Sequence, residues 1–160
     1  MKDHISLNLF VWATAILLLF SSGTASEPWR NPVGSNGESS NLDLAGRWAQ
    51  GPVRAVASRS DTAFFGNGGR LDIVDFSTPS SPSLVATLDL PTWIRALEVS
   101  GAHLYIAADE SELLIIDISD PSAPILAGST DIGYDADDVA VSGDYAYVAC
   151  GSAGIWVINI

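Results

Sequence analysis

Four aspartates, Asp131, Asp135, Asp137 and Asp138, crowd one short stretch with no basic residue among them. Hard cations such as Ca²⁺ are held by clustered carboxylate and carbonyl oxygens of this kind, and Asp109, Glu110 and Glu112 would add donors if two loops converged. The spacing is not that of a helix-loop-helix calcium loop. A solvated acidic loop is the simpler expectation, so no metal ligand set is assigned and calcium is kept as an alternative. Trp93 and Tyr134 carry flat apolar faces able to stack on a sugar or an aromatic side chain. With Arg95, Asp135 and Asp137 they form the candidate ligand-binding set.

Residues able to catalyse are few. His103 has no Ser or Cys partner in a nucleophile motif, and His4 lies in the N-terminal segment. The single cysteine, Cys150, reads as a small core filler. Gly66-Asn67-Gly68-Gly69 joins two strand-like segments and lacks the strand-to-helix context of a phosphate loop, so it reads as a turn. No catalytic residue and no cofactor is assigned, and the expectation is a protein that binds and does not react.

Composition narrows the partners. The chain has 7 Lys+Arg against 19 Asp+Glu, a formal net charge of -12. Such a surface repels phosphate backbones, which argues against nucleic acid as a partner. Residues 1–25 have the plan of a secretory signal: Lys2, an apolar run from Leu9 to Phe20 broken only at Thr14, then small residues with cleavage expected after Ala25. That run is shorter than the roughly 20 residues a helix needs to span a bilayer, so no span is expected in the mature chain. Residues 26–41 read as a flexible leader rich in Ser, Gly, Asn and Pro. The expected location is secreted, extracellular or cell-surface, with a periplasm as the other possibility. Cys150 stands alone, so no intrachain disulfide can hold the fold.

The elements that position these residues come from an internal repeat. Asp75-Phe76-Ser77-Thr78-Pro79 returns as Asp117-Ile118-Ser119-Asp120-Pro121 at an offset of 42, and Val99-Ser100-Gly101 returns as Val141-Ser142-Gly143. Comparison at this offset needs no gap and divides the chain into copies at 42–83, 84–125 and 126–160. Each copy carries short segments rich in Val, Ile, Tyr and Ala between turn residues, with no apolar stripe at helical spacing. In the third copy strands are expected at 138–141, 145–150 and 155–160, with a loop at 151–154. Fourth strands are expected at 83–90 and 125–132. Four short strands per repeat of this length is the pattern of a β-propeller blade. The prediction is an all-β chain of three four-stranded repeats. Gly66, Ala108 and Cys150 fall at one repeat position, where small residues would let blades approach.

The segments Leu71-Asp72-Ile73-Val74-Asp75, Leu113-Leu114-Ile115-Ile116-Asp117 and Ile155-Trp156-Val157-Ile158-Asn159 resemble the motif of the LVIVD-repeat family, as do the trailing Ser-x-Pro-x-x-Pro runs. The resemblance covers residues 42–160 and departs at Asn159, where the motif has Asp. It implies exported or surface proteins built as propellers, mostly without an assigned function.

Three blades fall short of the 4–8 of a closed ring. Two arrangements are expected to compete: an open piece of a larger propeller, or a ring of two copies in which Leu42–Trp48 of each pairs with Ile155–Ile160 of the other. The first is favoured because an uncapped array exposes apolar faces and an unpaired sheet edge. The function expected is an exported or cell-surface module for interaction with a protein or a surface glycan. The alternatives are a fragment of a propeller hydrolase or lyase, and a calcium-stabilised surface domain.

Overall fold

The computed structural model describes residues 44–160. The expected signal, residues 1–25, and leader, residues 26–41, lie outside the described residues. Eleven strands follow one another: β1 Val53–Arg59, β2 Thr62–Asn67, β3 Arg70–Asp75, β4 Ser83–Asp89, β5 Ile94–Ser100, β6 His103–Ala108, β7 Glu112–Asp117, β8 Ile125–Asp131, β9 Asp138–Ser142, β10 Tyr145–Ala149 and β11 Ile155–Asn159. Two one-turn 3₁₀ segments, Asp109–Ser111 and Gly151–Ala153, stand between β6 and β7 and between β10 and β11. Each predicted strand of the third copy, and both predicted fourth strands, form within a residue of their expected ends.

The strands make three antiparallel sheets in simple meander order, β1-β2-β3-β4, β5-β6-β7-β8 and β9-β10-β11. Each is a blade cut from the chain one strand later than the sequence registers 42–83, 84–125 and 126–160. The first strands stand side by side from blade to blade, β1 beside β5 and β5 beside β9, as the innermost strands of a radial array must. The result is an all-β open arc of propeller blades.

Alternation along each strand sends side chains to opposite faces, and the blades stack through those faces. Phe64, Leu71 and Ile73 of blade 1 meet Leu104, Ile106 and Leu114 of blade 2 in one core. Tyr105, Ala107 and Leu113 on the other face of blade 2 meet Val139, Ala146 and Val148 of blade 3 in the second. At the opposite end of the strands from the site, the Arg59 guanidinium donates to the carbonyls of Gly101 (2.9 Å) and Ile118 (2.7 Å), tying blade 1 to blade 2.

The gap-free repeat needs one correction. Strands β1 and β2 match β5 and β6 at an offset of 41, and only from β3 onward does the offset become 42. The missing residue is in the β2–β3 turn, which has two residues, Gly68 and Gly69, where β6–β7 has the three of Asp109–Ser111. Two repeated features fix this frame. Backbone φ is positive at Ser60 (53°), Gly101 (59°) and Gly143 (60°). The amides of Phe76, Ile118 and Ile160 donate to the carbonyls of Asp61, Ala102 and Asp144 at 2.7, 2.8 and 2.9 Å. Gly66 therefore matches Ala107 and Ala149, while Ala108 and Cys150 match Asn67. The reason for a small residue at Gly66 survives the shift: a methyl there would come 2.5 Å from Cγ2 of Ile94 in the next blade.

A second difference concerns the expected N-terminal strand. Residues 44–48 form no strand and pair with no sheet. Gly46 instead lies tight against the backbone of Pro79, and Gly51 against the Asn67 side chain, which places this segment along blade 1. Trp156 is exposed beside Tyr134, while its repeat counterpart Leu114 is buried.

Candidate functional site

All five sequence-selected residues gather at the end of the arc formed by the β2–β3, β4–β5, β6–β7, β8–β9 and β10–β11 connections. Short loops are held there by backbone bonds between neighbours. The amides of Leu90 and Ile94 donate to Gly69 (2.7 Å) and Gly68 (2.9 Å), and Asp109 donates to the Trp93 carbonyl (2.9 Å). The Thr92 hydroxyl, buried, donates to the Asp109 carbonyl at 2.6 Å. Asp137 donates its amide to Ala149 at 2.8 Å, which fixes the β8–β9 loop over blade 3.

Arg95, on β5, is the hub. Its Nε donates to a carboxylate oxygen of Asp109 and its Nη1 to Oδ1 of Asp137 at 3.0 Å, so one guanidinium joins the loops of blades 2 and 3. Hydrogen bonding to Asp109, with the nearby charges of Asp137 and Asp135, holds this guanidinium above its ordinary range. The expectation of an acidic loop without a cation is thereby corrected: the cation comes from one repeat earlier. Arg95 and Asp137 are 42 residues apart, at the same repeat position in adjacent blades. Equivalent positions are neighbours around a propeller axis, so the 42-residue spacing was the one signal in the sequence that could have paired them.

The remaining aspartates of the cluster do not converge. Asp131 Oδ1 accepts from the Gly133 amide (2.7 Å) and Asp138 Oδ1 from the Val139 amide (2.9 Å), each capping its own turn. Among the described residues no three His, Cys, Asp or Glu side chains are placed to hold a metal ion together.

Two shallow open depressions flank Arg95. One, about 420 Å³, is lined by Tyr134, Asp135, Asp137, Cys150, Gly151 and Ser152. The other, about 430 Å³, is lined by Pro91, Thr92, Trp93, Asp109 and Glu110. Trp93 is 58% exposed and Tyr134 51% exposed. The Tyr134 ring lies 5.9 Å from that of Trp156, tilted by 39°, which adds a third aromatic to this side. Cys150 borders the first depression but is buried, and burial together with the Asp137 charge pushes its thiol up, away from the thiolate. The face thus offers acceptor oxygens and flat apolar rings around a neutralised centre.

Sequence reading passed over one charged group. Asp72, on β3 of blade 1, is 2% exposed and takes a two-pronged bond from Arg70, Nε to Oδ1 at 2.7 Å and Nη2 to Oδ2 at 3.0 Å. Its counterparts are Leu114 and Trp156, so an acid in an apolar row was the available signal.

The family model of the LVIVD repeat matches residues 51–89, 95–132 and 133–160. The chain belongs to the LVIVD-repeat family. Its matched copies begin at the first strand of each blade or in the loop leading to it, in phase with the sheets. No curated protein matches. Among solved structures, the Mitotic Checkpoint Complex contains a chain similar at TM-score 0.58 and 17% identity, over 68% of this chain and 37% of that one. BamB from Moraxella catarrhalis is similar at TM-score 0.56 and 14% identity, over 69% and 34%. The Cps50 (Swd1) β-propeller domain of Myceliophteria thermophila is similar at TM-score 0.57 and 18% identity, over 67% and 39%. At these identities the likeness is one of fold. The LVIVD chain spans little more than a third of the length of each. No helix among its described residues is long and apolar enough to cross a membrane.

Proposed function

We propose that this chain is an exported or cell-surface propeller module that holds a protein partner on the loop face around Arg95 and carries out no chemistry itself. The observation that carries the reading is the pairing of two exposed aromatic rings, Trp93 and Tyr134, with a guanidinium already neutralised by Asp109 and Asp137. Aromatic side chains set among polar neighbours are the usual anchors of protein recognition. The loops that bear them differ between copies while the strands repeat, which suits one composite site and not three equal ones. The fold supports an interaction role, and the signal-like residues 1–25 support export.

Photo-crosslinking in the producing cell tests this. With the crosslinker at Trp93 or Tyr134, a shared adduct of one mass is expected, and none with it at Thr87 on the blade rim. Equal adducts from all three positions, or none from the first two, would overturn the proposal.

A further inference from the structure

The loop face carries a second guanidinium beside Arg95. Strand pairing skips one residue between Val53 and Ala55 in β1, and one between Ile94 and Ala96 in β5. Arg54 and Arg95 are therefore the same bulged residue on the innermost strands of neighbouring blades, and Asp137 stands at that position in the third. A bulge takes a residue out of the ladder and re-aims its side chain. In blade 2 the bulged Arg95 meets two carboxylates, Asp109 just after β6 of its own blade and Asp137 of the following blade. For Arg54 neither acid exists. Gly68 follows β2 where Asp109 follows β6, and Arg95 itself stands where the following blade would supply a carboxylate. Arg54 is exposed and forms no ion pair among the described residues.

Arg54 also adjoins an aromatic anchor of the face. Val53 pairs with Asn67, and the Ile94 amide donates to the Gly68 carbonyl, so Arg54 and the exposed Trp93 flank one turn. That turn is Gly68-Gly69, with no side chain to stand between them. Trp and Arg are the residue types that most often dominate the binding energy of protein interfaces. A guanidinium fork matches a carboxylate with two parallel bonds. We infer that the partner held on the loop face presents an aspartate or glutamate to Arg54, in place of the acids that blades 2 and 3 supply to Arg95. Loop-face binding, as proposed above, is the premise, and the charge of the group that binds is what is added. The net charge of -12 would by itself draw a basic partner, so the sign of the preferred charge discriminates.

A random peptide library displayed on phage, panned on the purified protein, is the probe. Peptides that need Trp93, identified by their loss with Trp93→Ala, are expected to be enriched in Asp and Glu. Arg54→Gln should remove that preference and weaken the selected peptides roughly tenfold. Arg54→Lys should keep the preference, because the charge remains. Arg54 is exposed, so both variants should melt with the parent. Trp93-dependent peptides without the acid preference, or rich in Lys and Arg, would overturn the inference and leave the loop face standing. An acid preference that survives Arg54→Gln would overturn it equally. So would an empty selection or peptides indifferent to Trp93→Ala, and crosslinking at Trp93 and Tyr134 would then judge the loop face by itself.

Discussion

Single residues in this chain are read best against their repeat partners. Ser60 holds φ at 53° in the turn where the other two blades have glycine. A non-glycine residue there carries strain on the order of 1–3 kcal/mol, partly offset by its smaller loss of backbone freedom on folding. Ser60→Gly should therefore stabilise the protein by about 0.5–1 kcal/mol, read as a higher denaturant midpoint with an unchanged slope. Arg95 shows what a sequence yields and withholds. It entered the candidate set beside Trp93, Tyr134, Asp135 and Asp137. Its partners were hidden because Asp109 and Asp137 are distant along the chain, and only the radial stacking of blades brings the 42-residue spacing into contact. Asp72 escaped notice for the opposite reason: its partner Arg70 is only two positions away, and nothing local says that its face is buried.

At the scale of elements, the strands were legible because alternation and turn chemistry recur three times. Their exact register was not. A one-residue slip sends every side chain of a strand to the other face, and the gap-free repeat contained such a slip in β1 and β2. It stayed invisible because Ala, Val and Phe alternate little there: Ala63, Phe64 and Phe65 satisfy either face. The proline loops illustrate local chemistry that holds an element in place. Asp120 accepts from the Ser122 amide (2.9 Å) and hydroxyl (2.7 Å), and Asp117 from the Ser119 amide (2.8 Å). The Ser122 hydroxyl and amide hold the Asp120 carboxyl below its ordinary range, and the Ser119 amide does the same for Asp117. A depressed folded pKa favours the fold above the unfolded value, and that contribution is lost as pH falls through the folded value. Thermal stability should thus hold near neutrality and decline below about pH 4, the ordinary carboxylate range. Asp120→Ala should melt lower than the parent at pH 7, with the gap narrowing as pH falls below about 4. A gap that persists unchanged in acid would refute the capping role.

The molecule as a whole is a stack in which each blade is buttressed by its neighbours. Among the described residues, blade 2 has both faces covered, while one face of blade 3 and the edge of β11 have no neighbour. Amide hydrogen exchange should grade accordingly, slowest in β6 and β7, and faster in β11 than at the equivalent positions of β7, such as Val157 against Ile115. Uniform protection across the three blades in a monomer would contradict this picture.

The two-residue turn between β2 and β3 has a consequence of another kind. Blade 1 is one residue shorter than blade 2 at that tip, yet its strands keep the same pairing and its faces the same neighbours. Length change has been absorbed without disturbing the scaffold beneath. The same tip is also a tie: the Gly68 and Gly69 carbonyls accept from Ile94 and Leu90, so an epitope spliced between them would be displayed beside Trp93 only at the expense of the bonds that anchor blade 2.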